Sequence, residues 1–228
     1  MNSIRHPRLV LVAVALLVAV TSRARAQAAP SPASPATPTG GVDVARPMAL
    51  AIGQPAPMRE TRMKAVDGRE RSIAAVAGKK GTLVIFMCKH CPWVKQWQRR
   101  IARIGNAAQA QGVGVIAVNA NDPAAYPEDD FEPMKAQAKQ LGFKFPYVVD
   151  ATSEVARAFG ATRTPEVFLF DAEGRLVYHG AVDDNARDEK AVQNPWLKQA
   201  IDAVVAGKAV ATAETKMFGC GIKFRGAS

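Results

Sequence analysis

The chain has 228 residues, 48% of them apolar and 22% charged, with a formal net charge of +10. That balance belongs to an ordinary globular protein able to fill a sizeable core, and it excludes a disordered or collagen-like polypeptide. The lysines and arginines are scattered, GKKG and QRR being the densest spots, and lack the aromatic-interleaved basic stripe of a nucleic-acid-binding protein.

Residues 1–26 have the three-part layout of a secretory signal peptide. MNSIRHPR is basic, the 12 residues from Leu9 to Val20 are uninterrupted apolar, and Ala24, Arg25 and Ala26 place small residues two apart. Cleavage is expected after Ala26, with Ala28 as the second choice. The apolar run falls short of the roughly 18 residues that span a bilayer; extension through Thr21 and Ser22 would instead leave an uncleaved anchor, the one case in which a membrane is a partner. Removal of the leader leaves 26 basic residues against 20 acidic, a net charge of +6. Export to the periplasm or beyond is therefore expected, in a compartment where disulfides persist. Residues 27–47 are rich in Pro, Ala, Ser, Thr and Gly and read as a flexible linker.

A single domain is expected over 48–210, followed by a tail over 211–228. DGRERSI contains a turn and a short extended piece. TLVIFM (82–87) is a continuous apolar run of strand length, as in a strand buried on both faces. Val94, Trp97, Ile101, Ile104 and Ala108 recur at helical steps. VGVIAVNA (113–120) is a second buried strand, DDFEPMKAQAKQLG a helix, FPYVVD a strand, and SEVARAFG a short helix with a serine cap and a terminal glycine. EVFLF, the turn DAEG and RLVYHG make a hairpin. NPWLKQAIDAVVAGK closes the domain as a helix with Trp196, Ile201 and Val204 or Val205 facing inward. Alternating strands and helices give an α/β fold, a central mixed sheet flanked by helices on both faces.

Two of the three cysteines, Cys88 and Cys91, stand where a buried strand ends and a helix begins. A helix N-terminus stabilises an anion, so the first cysteine is expected to favour its thiolate, and Lys89 and His90 add positive charge between the sulfurs. On this reading Cys88, at the helix mouth, is the nucleophile; Cys91, one turn in and more buried, resolves the mixed disulfide. A structural disulfide between residues three apart would restrict the unfolded chain little. A zinc site wants four ligands, and there is no second CxxC or CxxH pair, His6 lying in the leader and His179 alone. No metal and no organic cofactor are expected.

Thr164-Pro165 precedes the hairpin, and proline, lacking a donor, belongs at the start of a strand, where a cis bond is plausible. A strand, a CxxC at a helix start and a Thr-Pro before a hairpin together resemble the thioredoxin-like superfamily. GKKGTLVIF, the extra helix and strand between Asn121 and Asp150, and TPEVFLFDAEGRLVYHG are similar to its redoxin branch, the AhpC/TSA and ResA/TlpA-type proteins. CKHCPWVK and GCGIK resemble a peroxiredoxin-like subgroup with a CxHCP motif. The resemblance implies that Cys88 and Cys91 are the redox pair and Pro165 the cis-proline beside it. Thr164 would then offer its backbone to an extended substrate.

The expected enzyme is an exported thiol-disulfide oxidoreductase acting on protein or small-molecule disulfides and thiols, with an external thiol as electron partner. The chief rival is a thiol peroxidase: Cys91-Pro92 matches the peroxidatic Cys-Pro of peroxiredoxins, although Pro165 stands where their arginine would be and Arg163 is two residues away. A copper-binding Sco-type protein would use CxxxCP and a histidine before the hairpin, whereas His179 follows the turn. Cys220 is either a small apolar residue packing the tail or a third redox cysteine.

Overall fold

The structure, a computed structural model, describes residues 49–226. The leader, the linker and the expected first residue of the domain lie outside the described residues. TLVIFM supplies β3 (Gly81–Phe86) and VGVIAVNA supplies β4 (Val113–Asn119), which pair in parallel from Gly81↔Val113 to Phe86↔Val118. The hairpin is β7 (Glu166–Phe170) and β8 (Leu176–Gly180), with β7 antiparallel to β3. On the other side β4 pairs with β5 (Tyr147–Val149), then come β1 (Met63–Ala65) and β2 (Glu70–Arg71). The resulting seven-stranded sheet has the order β2–β1–β5–β4–β3–β7–β8 and mixes parallel with antiparallel neighbours.

The continuous apolar character of the central strands has a direct cause, because each face meets a separate core. Leu83, Ile85, Val115, Ala117, Val167 and Leu169 point to one side, against α1 (Pro92–Ala110), α2 (Phe131–Leu141) and α4 (Trp196–Val205). Val84, Phe86, Ile116, Val118, Phe168 and Phe170 point to the other, against α3 (Glu154–Phe159). The expected fold class is the one observed, and α2 with β5 is the extra helix and strand.

One local expectation is refined and one is corrected. In α4 the buried residues are Leu197, Ala200, Ile201 and Val204, while Trp196 and Val205 are only half-buried. Ser153 does not cap α3: its hydroxyl donates to the Ala120 carbonyl (2.7 Å) and accepts from Arg225 N (2.9 Å), so Asp150 instead takes the orphan N–H of Ala156 (2.9 Å). The C-termini of α2 and α3 close as expected on Gly142 and Gly160, both left-handed at φ 65° and 66°.

The tail beyond residue 210 is bound to the sheet along most of its length. It first runs beside β8, where His179 N donates to Ala213 O (2.8 Å) and Thr215 N to His179 O (3.1 Å). It then forms β9 (Cys220–Gly221) on β6 (Arg163–Thr164) and ends at β4, where Asp122 N donates to Lys223 O (2.7 Å). Arg157 donates to the Arg225 carbonyl and lies over the Phe224 ring.

Behind the site, α1 carries a charge that its apolar periodicity does not announce. Arg100 is 7% exposed and pairs with buried Asp183, which also accepts from Trp97 Nε1 (2.8 Å). Breaking one half of such a buried pair leaves an uncompensated charge, so Asp183→Ala should cost about 3–5 kcal/mol of stability in a urea titration. A cost under about 1 kcal/mol, the worth of an exposed pair, would contradict that reading.

Candidate active site

The strand-to-helix junction is built by three successive decisions in the chain. β3 ends at Phe86, Pro92 is the first residue of α1, and residues 87–91 make the turn between them. Cys91 is the helix N-cap, in extended conformation (φ −61°, ψ 124°), and Cys88 lies before it in the turn. The expectation that Cys88 holds the helix mouth is therefore corrected. Both side chains are fully buried.

Thr164 spans the pair from the opposite side. Its hydroxyl is 3.2 Å from Cys88 Sγ, and its carbonyl oxygen is 3.2 Å from Cys91 Sγ. The Thr164-Pro165 bond is cis. Buried Glu166 fixes this segment: one carboxylate oxygen accepts from Thr162 N and Arg163 N (2.9 Å each), and the other meets His179 Nε2 at 2.8 Å. His179 thus supports the loop that carries Thr164 from the opposite face of the sheet rather than joining the cysteines.

Lys89 acts here through its backbone, and His90 through both its backbone and its ring. Both N–H groups donate to Asp129 Oδ1, at 2.7 and 2.9 Å, a small anion-binding nest between the two cysteines. Asp129 Oδ2 meets His90 Nδ1 (2.5 Å) and accepts from Asn121 Nδ2 (2.8 Å), and the imidazole stacks on Tyr126 with ring centroids 3.8 Å apart. His90 thus brings to the site the carboxylate of Asp129, an acid that in the sequence reads only as part of the helix DDFEPMKAQAKQLG.

The surroundings of the two thiols favour the opposite division from the one expected. Cys88 is pushed up, first by its hydrogen bond with the Cys91 side chain, then by burial and by the nearby Asp129 charge. Cys91 is held well below the ordinary thiol range, first by the Cys88 thiol; burial opposes this, and the Cys220 side chain with the Val94 and Cys220 backbones supports it. The Thr164 carbonyl also faces Cys91 unfavourably, but it is one acceptor against those four donors. An anion at a helix N-cap is where the helix dipole favours it.

Cys220 reaches the pair from the tail, its Sγ 2.7 Å from Cys91 Sγ. Phe218 stacks on Trp93, which in turn stacks on buried Trp97. Cys88, His90 and Asp129 each offer a ligand atom, all within 4.8 Å of one another. The carboxylate and imidazole are already bonded to each other, however, and both carboxylate oxygens are engaged, so this group is organised as a hydrogen-bonded network.

Residues 51–194 match the redoxin family. The chain belongs to that family. This redoxin is 30% identical over 131 residues to the thiol-disulfide oxidoreductase ResA of Geobacillus thermodenitrificans, covering 56% of the present chain and 68% of that protein. A hypothetical protein from Sinorhizobium meliloti is similar in structure with a TM-score of 0.73 and 35% identity, over 79% of the redoxin and 98% of its own chain. The fold is shared with a thioredoxin-family thiol:disulfide interchange protein from Chlorobium tepidum, TM-score 0.51 at 23% identity, over 69% and 99% of the two chains. The thioredoxin-like, redoxin-branch resemblance read from the sequence is the family found.

A depressed Cys91 means that the thiolate persists as pH falls below the ordinary thiol range and is lost only as pH passes through the depressed value. Thiolate ultraviolet absorbance of the reduced protein should titrate with one midpoint below about 8.5. That midpoint should disappear in Cys91→Ser, survive in Cys88→Ser, which keeps a donor, and rise in Cys88→Ala, which does not. A low midpoint that vanishes with Cys88→Ser and persists in Cys91→Ser would return the thiolate to Cys88.

Proposed function

We propose that this redoxin is an exported thiol-disulfide oxidoreductase whose redox pair is Cys88 and Cys91, within the domain over 48–210. The observation that carries the reading is the contact of both sulfurs with Thr164, 3.2 Å on each side, next to the cis-proline. A thiolate at a helix N-terminus, a second thiol in the preceding turn and a backbone edge beside them are the parts that disulfide exchange needs. The ResA name of its relative supports the same activity. The basic, apolar and small-residue segments of residues 1–26 support export to a compartment where exchange of disulfides is useful. Among the described residues no helix is long and apolar enough to cross a membrane.

In the proposed cycle the Cys91 thiolate attacks one sulfur of a substrate disulfide, and the other sulfur leaves as a thiolate that takes up a proton. The Cys88 thiol then loses its proton and attacks Cys91 Sγ, releasing the second substrate sulfur and closing the Cys88–Cys91 disulfide. Two electrons pass from the protein to the substrate; an external thiol returns them. Bonding of Cys91 removes the first cause that raises Cys88, its hydrogen bond with the Cys91 side chain, while burial and the Asp129 charge still oppose loss of the Cys88 proton.

A peroxidase reading has one observation in its favour, the thiolate at Cys91 followed by Pro92. Against it stands the Arg163 guanidinium, the sequence candidate for a cation on the leaving oxygens, which is exposed and donates to Gly219 O (3.0 Å). Stopped-flow oxidation of the reduced, leader-free protein separates the two. Oxidised glutathione should react quickly and lose that reaction in Cys91→Ser, with hydrogen peroxide no faster than with an ordinary thiolate. Peroxide consumption that outpaces the disulfide and depends on Cys91 would make the protein a peroxidase.

A further inference from the structure

Cys220 is brought to Cys91 by backbone pairing. In the β6–β9 ladder Thr164 faces Cys220 and Arg163 faces Gly221. The strand is held from both ends, by Phe218 on Trp93 and by Ile222 N donating to Thr162 O (2.9 Å) and Lys223 N to Asn121 Oδ1 (2.9 Å). A side chain on Gly219 has no room, since a Cβ there would lie 2.5 Å from the Thr164 carbonyl oxygen. The sulfur separation of 2.7 Å approaches the bonded distance of about 2.05 Å. The edge beside Thr164, which an extended substrate would occupy, is therefore filled by the protein's own tail with a cysteine at the reacting position.

We propose that Cys220 is a redox partner of Cys91, and that the tail strand is an internal substrate which closes a Cys91–Cys220 disulfide during turnover. The proposal rests on the oxidoreductase reading and adds a second resolving thiol to it. With an incoming disulfide joined to Cys91, the Cys220 thiol loses its proton and attacks Cys91 Sγ; the Cys91–Cys220 bond forms and the substrate sulfur leaves as a thiolate. The protein loses two electrons and the substrate disulfide becomes two thiols. Burial and the adjoining Cys91 side chain keep Cys220 protonated, raised to about 11, while Cys91 is an anion. The Cys91 part of that brake is removed once Cys91 is bonded. Since Cys88 and Cys91 are covered in the docked state, the two-residue ladder must open to admit the reactant, and so short a pairing lies at the low end of local stability.

The test is the reduced, leader-free protein mixed with oxidised glutathione, quenched by acid, alkylated and mapped by peptide mass over time. Cys91–Cys220 should form in the wild type and accumulate in Cys88→Ser. A tethered thiol acts at an effective concentration of about millimolar, so closure in Cys88→Ser should outpace attack by a micromolar external thiol about a thousandfold. In the Cys88→Ser/Cys220→Ser variant the glutathione adduct on Cys91 should persist. Gly219→Val, which crowds the ladder without touching a sulfur, should slow Cys91–Cys220 closure and leave Cys88–Cys91 closure intact. Recovery of Cys220 fully alkylated beside a Cys88–Cys91 disulfide, or a lasting glutathione adduct in Cys88→Ser, would overturn the tail's role and leave the pair's role standing. Recovery of all three cysteines alkylated would overturn both.

Discussion

The site is organised around one buried carboxylate. Asp129 is 1% exposed and accepts from two successive backbone amides between the cysteines, from Asn121 and from the His90 ring. Hydrogen bonds to a charged group contribute about 1.5–3 kcal/mol each. The carboxylate fixes the turn between β3 and α1, and through Asn121 it also holds the end of β4 and the tail at Lys223. Asn119 closes the network by donating to the Asp129 carbonyl. The two cysteines, the β4 terminus and the C-terminal strap are thus positioned against the same group, so displacement of any one is felt by the others.

That anchoring explains how the two thiols are made different. They sit three residues apart in similar burial, yet one faces the Asp129 charge while the other caps a helix and collects thiol and amide donors. The Glu166–His179 pair does the corresponding work on the opposite wall, holding the loop that carries Thr164. Two buried acids, one per wall, set the gap that holds the two sulfurs.

Much of the scaffold is legible in the sequence because its signals are local. Continuous apolar strands, the period of α1 and the glycines after α2 and α3 each report their surroundings directly. Trp196 packs against the core as expected but stays half-buried, because Leu197 beside it takes the deeper position, a choice that packing makes and residue order does not. Asp129 was unreadable for a different reason: it lies 38 residues beyond Cys91, and an acid before a helix looks like a cap. Glu166 left a faint trace, an acid opening the otherwise apolar run EVFLF. Assigning the helix mouth to Cys88 failed on geometry that residue order does not carry, since the turn extends to Cys91 and Pro92 begins the helix. The tail's Cys220 was legible as a question only, because antiparallel pairing between residues 56 apart has no local signature.

Gly219 gives the docking edge a property of its own. The missing side chain allows the chain to pass against the Thr164 carbonyl, and any Cβ at that position would collide with backbone that Glu166 holds fixed. In this register the edge has room for a Gly-Cys pair and none for a side chain before the cysteine, so the docked position of Cys220 depends on Gly219 as much as on the ladder itself.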